Sequence, residues 1–335
     1  MYNKTLFSVT LMVGTLVAIS SYTWMGMWMG LEINLLSLIP LMSESKNSMA
    51  TEASLKYFVT QALASTLLLF SFILLAAESP FTTSISPYLS LVLNTALFTK
   101  MGAAPFHFWL PEVIEGLSWT NSAILLIWQK IAPMGLIMLF DITELYLMLV
   151  VLSSVLISGF IGLNQISLRK ILAYSSINHI GWMLAALWFS ETIWTAYFVV
   201  YTLITLGIIN LFNNLKIFYL TQLCHSMTNN LTLKLFTMMN FLSLGGLPPF
   251  LGFFPKWVTI LCLVDSGLVV MSILMILMTL MTLYFYIRVI YTAILLGANE
   301  LSFHTEQKMS ISSMYIFTTI SVFGLILATP LFNYL

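Results

Sequence analysis

The sequence has 335 residues, of which 60% are hydrophobic and only 7% are charged. Soluble domains carry about 25% charged residues, so this chain has too few charges to cover the surface of a soluble globule. Its 12 basic and 12 acidic residues give a formal net charge of zero, which provides no field to attract a polyanion. These numbers exclude a soluble enzyme of ordinary composition, a disordered protein and a nucleic-acid-binding protein. They predict an all-α, polytopic membrane protein.

Apolar segments long enough to cross a membrane follow one another along the whole chain. A spanning helix needs about 20 mostly apolar residues, and eleven segments meet that requirement. The predicted spans are 3–21, 24–42, 54–76, 86–115, 121–140, 144–163, 170–188, 193–215, 235–263, 267–293 and 311–333. The connectors between them are too short for a soluble domain, so we expect a single membrane domain over 1–335.

The basic residues outside the spans or near span ends all lie on one membrane face. If the chain crosses at every span, the face that holds the N-terminus receives nine basic residues and the opposite face receives none. The nine basic residues are Lys4, Lys46, Lys56, Arg169, Lys170, Lys216, Lys234, Arg288 and Lys308, and the acids of the opposite face are Glu78, Asp141, Glu144, Glu191 and Asp265. The positive-inside rule then places the N-terminus on the cytoplasm-like face, which is the matrix face in a mitochondrion, and the C-terminus on the other.

Four charged residues lie inside the predicted spans and away from the span ends. Glu32 and Lys130 each lie about 12 Å from a span end, and Lys100 and Lys256 lie in spans 4 and 9. A charge at the centre of a bilayer costs at least about 2.5–3.5 kcal/mol, so such residues are candidates for an ion or proton pathway. Burial favours a neutral lysine and a nearby carboxylate favours a charged one, which makes a Glu–Lys pair a candidate proton switch. A buried ion pair that only fixes helix packing is the alternative.

Spans 4 and 9 each contain glycine and proline near the middle, beside a lysine. Span 4 includes the segment Lys100-Met-Gly-Ala-Ala-Pro105, and span 9 includes Leu244-Gly-Gly-Leu-Pro-Pro249. Irregular backbone at membrane depth is tolerated only inside protein or along a wet cavity. The two spans are five apart, and a second five-helix unit must enter the membrane from the opposite side. We therefore predict inverted repeats over 1–140 and 144–293 with discontinuous helices 4 and 9, followed by a C-terminal helix at 311–333. A simple proline kink in each span is the alternative.

Two histidines lie close to these features and are candidates for a proton relay. His107 follows the break in span 4, and His179 lies about nine residues into span 7 among serine and asparagine side chains that could hold water. For His179, a core histidine with satisfied hydrogen bonds is an equal alternative. The sequence has no cysteine cluster for iron–sulfur, no histidine pair at haem-ligand spacing and no phosphate-binding loop, so we expect no cofactor on this chain.

Six segments together carry a resemblance to a known family: 30–37, 51–58, 100–109, 128–133, 168–179 and 240–257. The chain resembles chain 2 of NADH–ubiquinone oxidoreductase over nearly its full length, in the mitochondrially encoded animal form, with an arthropod-like length. The resemblance implies an antiporter-like core subunit in the membrane arm of respiratory complex I. Such a subunit translocates protons while electron transfer takes place in other subunits.

The resemblance also implies roles for single residues. Glu32 matches the family's intramembrane glutamate, Lys100 and Lys256 match the lysines of its two broken helices, and Lys130 matches its central lysine. NADH, FMN, iron–sulfur clusters and ubiquinone would bind to other subunits. The implied partners are adjacent antiporter-like and small core subunits, accessory subunits and lipids, and no nucleic acid.

Two alternatives to a pumping subunit stay open. The first is a structural anchor without pumping of its own. The second is a stand-alone cation/proton antiporter. The animal form lacks three N-terminal helices of the bacterial form, which would leave a flank that needs partner subunits and argues against the second alternative.

Overall fold

The computed structural model describes residues 2–44, 47–77, 86–140, 142–227, 231–294, 317–322 and 324–325. Its elements are helices, and the described residues contain no β-structure except one isolated bridge between Ser167 and Tyr219. The chain divides into two compact units, Met1–Val150 and Val151–Leu335. The predicted all-α class is therefore confirmed.

Five helices in the described ranges are long and apolar enough to cross a membrane. They have 19 to 30 residues and a mean hydropathy between 1.4 and 2.3. They are Trp24–Met42, Ser48–Ala77, Glu144–Gly162, Glu191–Leu215 and Val269–Ile294. The count of eleven spans stays a prediction. Residues 317–322 and 324–325 of the span predicted at 311–333 are helical, and the rest of that span lies outside the described residues.

The first unit consists of helices that pack mainly on their neighbours in sequence. Its elements are α1 (Tyr2–Ser20), α2 (Trp24–Met42), α3 (Ser48–Ala77), α4 (Ser86–Met101), α5 (Trp109–Gly116), α6 (Trp119–Ala123), a π-helical turn (Ile124–Trp128), α7 (Gln129–Ile137) and the start of α8 (Glu144–Gly162). Helix α2 begins after Thr23, whose hydroxyl accepts a hydrogen bond from the Gly26 N–H at 3.3 Å. The long helix α3 packs against both α4 and α5.

The second unit is built around one helix that is buried along most of its length. Its further elements are α9 (Leu168–Phe189), α10 (Glu191–Leu215), α11 (Leu220–Met227), α12 (Leu231–Gly245), α13 (Phe253–Asp265) and α14 (Val269–Ile294). Helix α9 is buried from Ile171 to Ala186, which explains how it carries several polar residues: they face protein rather than lipid. The short helix α11 was not predicted from the sequence.

The predicted interruption of span 4 lies between α4 and α5. Gly102 adopts a φ of +75°, and its N–H donates to the Thr99 carbonyl at 3.2 Å. The N–H of Ala103 donates to the Phe98 carbonyl at 3.0 Å. These two bonds end the helix and satisfy two of its last carbonyls, and glycine reaches the left-handed conformation without a Cβ clash. The cis Ala104–Pro105 bond follows, and proline has no N–H with which to continue a helix.

The interruption of span 9, between α12 and α13, has the same backbone pattern. Gly246 has a φ of +77°, and its N–H donates to the Ser243 carbonyl at 3.0 Å. The N–H of Leu247 donates to the Leu242 carbonyl at 3.3 Å, and the cis Pro248–Pro249 bond follows. Both spans are thus discontinuous helices, as predicted, rather than kinked ones.

Candidate functional site

Glu32 and Lys100 lie in the same unit and interact electrostatically. Glu32 lies near the middle of α2 and is half-buried, and its Oε2 is buried without a hydrogen-bond partner. Lys100 lies in the last turn of α4, is 6% exposed, and is within range of the charge of Glu32. The structure describes both side chains and places them beyond ion-pair distance of each other. The two groups therefore form a separated pair whose attraction depends on how closely α2 and α4 approach.

Side chains from α3 and from α5 donate hydrogen bonds to the end of α4 at Lys100. The Gln61 side chain of α3 donates from Nε2 to the Lys100 carbonyl at 3.4 Å. The indole N–H of Trp109, the first residue of α5, donates to the Thr99 carbonyl at 3.0 Å. The last carbonyls of a helix lack partners within it, so Gln61 satisfies the Lys100 carbonyl. Trp109 adds a second donor to the Thr99 carbonyl, which already accepts from the Gly102 N–H. Sequence analysis did not identify Gln61, although a buried amide in an apolar span is a signal that could have found it.

Lys130 is enclosed by protein and follows the π-helical turn. It is 1% exposed and is the second residue of α7. Its neighbour Gln129 donates from Nε2 to the Asn34 side-chain oxygen at 2.9 Å, and both amides are buried. Asn34 follows Glu32 by two residues on α2, so this bond ties the helix of the glutamate to the helix of the central lysine. Single π-helical turns occur often at functional sites.

Lys256 bridges the second helix break. It lies in the first turn of α13, is 6% exposed, and donates from Nζ to the carbonyl of Gly245 at 2.9 Å. Gly245 is the last residue of α12, so its carbonyl has no partner within that helix, and a cation at a helix C-terminus is favoured by the helix dipole. The Nζ atom also lies 5.9 Å from the ring centroid of Trp182, at the outer range of a cation–π contact.

His179 lies on α9, the helix that also carries Trp182. Its Nδ1 lies 2.9 Å from the hydroxyl of Tyr197 on α10, and its ring centroid lies 5.1 Å from that of Tyr201. Trp182 follows His179 by three residues, so one helix places the histidine next to the aromatic contact of Lys256. Sequence analysis missed Tyr197, because the pairing of α9 with α10 is a tertiary contact.

His107 lies in the first break itself and is 1% exposed. Its Nδ1 lies 3.3 Å from the Pro105 carbonyl, and its Nε2 is buried without a hydrogen-bond partner. A buried ring nitrogen without a partner is costly, so this atom is a place where a water or a proton could be accepted. The relay roles of His107 and His179 stay predictions.

The predicted residues are divided between the two units. The first unit contains Glu32, Lys100, His107 and Lys130, and the second contains His179 and Lys256. Within the described part of the chain, no three His, Cys, Asp or Glu side chains are grouped to hold a metal ion.

Comparison with known proteins agrees with this arrangement of helices. A family model described as "NADH:quinone oxidoreductase/Mrp antiporter, TM" matches residues 21–282. The chain is 46% identical to the NADH-ubiquinone oxidoreductase chain 2 of Anopheles gambiae, and the match covers 98% of both chains. It is 43% identical to that of Locusta migratoria, with 97% of both chains covered.

A solved structure shows the same fold. A chain in the respiratory complex I of Thermus thermophilus with bound aureothin superposes with a TM-score of 0.88. That match has 23% identity and covers 98% of this chain and 79% of the other. At this identity the likeness shows the antiporter-like fold, while the insect relatives show the family by sequence. The chain thus belongs to the NADH-ubiquinone oxidoreductase chain 2 family of antiporter-like membrane proteins.

Proposed function

We propose that this chain is a core membrane-arm subunit of a proton-translocating NADH:ubiquinone oxidoreductase, respiratory complex I, and that it carries part of the proton pathway. The family supports the assignment to the enzyme. The observation that carries the proton role is the burial of Lys100, Lys130 and Lys256, each at most 6% exposed, in a chain built of apolar helices. Burying a lysine in an apolar helix is costly, so three such lysines favour a function in charge transport.

In the proposed pathway, Glu32 controls the proton on Lys100. When the carboxylate approaches, it stabilises the ammonium form of Lys100; when it withdraws, burial favours the neutral amine and Nζ releases its proton. Removing one partner of a buried ion pair costs about 3–5 kcal/mol. Moving one charge across 100 mV requires about 2.3 kcal/mol. The switch is therefore strong enough to drive a proton against a membrane potential of that size.

The remaining residues continue the pathway. Lys130 accepts the proton and relays it along the membrane axis, and Lys256 serves the second half-channel. His107 and His179 are relay positions beside these lysines, since an imidazole both accepts and donates a proton near neutral pH. No redox step takes place on this chain in this proposal.

The family and its animal relatives indicate a mitochondrial membrane protein. We infer that it lies in the inner membrane with its N-terminus on the matrix side and its C-terminus on the intermembrane-space side, because the basic residues outside the spans collect on one face. NADH, FMN, iron–sulfur clusters and ubiquinone are bound by other subunits. The direct partners are the neighbouring antiporter-like and small core subunits, accessory subunits and lipids.

The inverted-repeat architecture, with repeats at 1–140 and 144–293, belongs to the same proposal. Its support is the similarity of the two breaks in sequence. Residues 102–106 are Gly-Ala-Ala-Pro-Phe, and residues 246–250 are Gly-Leu-Pro-Pro-Phe. In both, the glycine N–H and the next N–H make the same two hydrogen bonds to the preceding helix. Paired interrupted helices of this kind are typical of transporter repeats.

The test is to replace Lys130 in the assembled complex with methionine or with arginine. Methionine removes the charge, whereas arginine keeps the charge but does not release its proton in a protein. A relay predicts that both variants lower the number of protons pumped per NADH oxidised. If Lys130 only fixes helix packing through its charge, the arginine variant should pump as the parent does.

The matched control is Lys216→Met, which removes an exposed lysine at the end of α10. It should leave the proton ratio unchanged. An unaltered ratio in both Lys130 variants, in a complex with normal NADH oxidation, would refute the relay and favour the structural anchor.

A further inference from the structure

Helix α3 lies along both halves of the first broken helix. Gln61 of α3 donates to the carbonyl of Lys100 at the end of α4. One turn earlier, the ring of Tyr57 meets that of Trp109, the first residue of α5, edge to face at 5.7 Å. Residues four apart share one face of a helix, so a single face of α3 contacts the chain on both sides of the break. The continuous helix therefore supports the discontinuous one.

One lysine on α3 is shared between two carboxylates. Lys56 Nζ lies 3.0 Å from Oε2 of Glu112 on α5 and 3.0 Å from Oε1 of Glu52, one turn earlier on α3. One partner thus belongs to the helix of the lysine and the other to the second half of the broken helix. If α5 moves away, Lys56 keeps Glu52, so the ammonium is not left unpaired. Sequence analysis gave no role to Glu112.

The position of this lysine matches the edge of the membrane. The stretch of α3 from Tyr57 to Ala77 carries no charged residue and is about 31 Å long at 1.5 Å per residue. The hydrocarbon core of a bilayer is about 30 Å thick. Lys56 therefore lies at the boundary of the apolar layer, where Glu52, Lys56 and Glu112 are 59%, 44% and 58% exposed.

The ion pair between Lys56 and Glu112 borders open space. A cavity of about 450 Å³ opens beside the ion pairs, and its wall includes Lys56, Thr60, Trp109 and Glu112. The ion-paired side of α5 thus faces open space, while its first residue, Trp109, packs on Tyr57 of α3. Because Lys56 and Glu112 are themselves 44% and 58% exposed, making or breaking their ion pair does not require repacking of a core.

We propose that Lys56 and Glu112 form a latch that positions Lys100, and that Glu52 holds Lys56 when the latch is open. With the latch closed, α5 stays against α3, and the donors from Gln61 and Trp109 hold the end of α4 in place. Opening the latch removes one restraint on α5 and loosens the helix end that carries Lys100. Lys56 does not touch the translocated proton and is a positioning residue, and this part rests on the proposed function of Lys100.

Two variants that each remove one negative charge distinguish the effect of the latch from the effect of the charge change itself. In the assembled complex, Glu112→Gln removes the closed state, whereas Glu52→Gln removes only the resting partner. Hydrogen exchange of 102–116, followed by mass spectrometry, should be about twofold to fivefold faster in Glu112→Gln, as expected for the loss of an exposed ion pair. In Glu52→Gln it should be unchanged or slower. Lys56→Arg keeps both ion pairs and should exchange as the parent does.

The same complexes are tested for protons pumped per NADH oxidised. We expect a lower ratio in Glu112→Gln and the parental ratio in Lys56→Arg. Equal exchange in the two glutamine variants would overturn the latch, and faster exchange with an unchanged ratio would overturn its role in positioning Lys100. Failure of the proposed function is seen separately, as parental pumping in Lys100→Met, and the exchange result does not depend on it.

Discussion

Replacing Gly246 with alanine is expected to displace Lys256 while the helix break stays in place. A Cβ added to Gly246 would lie 2.8 Å from Cδ and 3.0 Å from Nζ of Lys256. Carbon atoms in contact normally lie about 3.5–4.0 Å apart, so the two groups must separate by about 1 Å. The lysine side chain is flexible and the backbone is held by hydrogen bonds, so the lysine moves. It then loses its 2.9 Å hydrogen bond to the Gly245 carbonyl.

Two costs add up in this variant, and a second glycine isolates one of them. Alanine in the left-handed conformation costs about 1–2 kcal/mol, and the loss of a hydrogen bond to a charged group adds about 1.5–3 kcal/mol. Gly267 has a similar φ of +80°, but a Cβ there would meet nothing within 4 Å. Gly267→Ala therefore carries the backbone cost alone. The difference between the two variants, about 1.5–3 kcal/mol, reports the effect on Lys256.

The assay compares thermal unfolding and protons pumped per NADH in the assembled complex. Gly246→Ala should lower both the stability and the proton ratio, whereas Gly267→Ala should lower the stability slightly and leave the ratio unchanged. If both variants pump as the parent does, the placement of Lys256 does not matter for translocation. If both lose pumping equally, the loss comes from backbone strain, and the reasoning about Lys256 is refuted.

Two further predictions concern buried hydrogen bonds. Asn34→Ala leaves the Gln129 amide buried without its 2.9 Å partner. It should therefore lower the free energy of unfolding by about 1–3 kcal/mol. A double-mutant cycle with Gln129→Ala measures the coupling energy between the two side chains, and a coupling energy of zero would show that the bond is absent. Tyr197→Phe keeps the aromatic ring but removes the hydroxyl 2.9 Å from His179 Nδ1. It should cost about 1 kcal/mol of stability and lower the rate of proton pumping, and an unchanged pumping rate would show that this contact does not orient a relay.

The helix breaks could be predicted from the sequence because their chemistry is local. Gly102 and Gly246 both take a positive φ and end a helix, and a proline follows three residues later in each case. The burial of Lys130 was also predictable, since apolar residues surround it in the sequence and it is 1% exposed in the structure. These features depend on the residue and its near neighbours alone.

The partners of the buried groups could not be predicted because they depend on how helices cross. Asn34 and Gln129 are 95 residues apart in the sequence, and their bond exists only where α2 meets the helix of Lys130. Helix α3 also extends beyond its predicted span: the span was predicted from 54, and the helix begins at Ser48. Hydropathy detects the part of a helix that lies in lipid, and the six added residues include Glu52, which lies at the charged end of the helix. The π-helical turn before Lys130 has no signature in composition.

The two breaks share a backbone ending but differ in how the lysine is held. Lys100 precedes its glycine and forms part of the helix end, and Gln61 donates to its carbonyl. Lys256 follows its glycine and itself donates to the carbonyl of Gly245. A charged amine makes a stronger bond to a carbonyl than a neutral one does, so a change in the second break acts on Lys256 directly through the helix end. Lys100 instead interacts with the charge of Glu32, which lies on another helix. In the proposed pathway, Lys100 therefore responds to motion between helices, whereas Lys256 responds to motion within one broken helix.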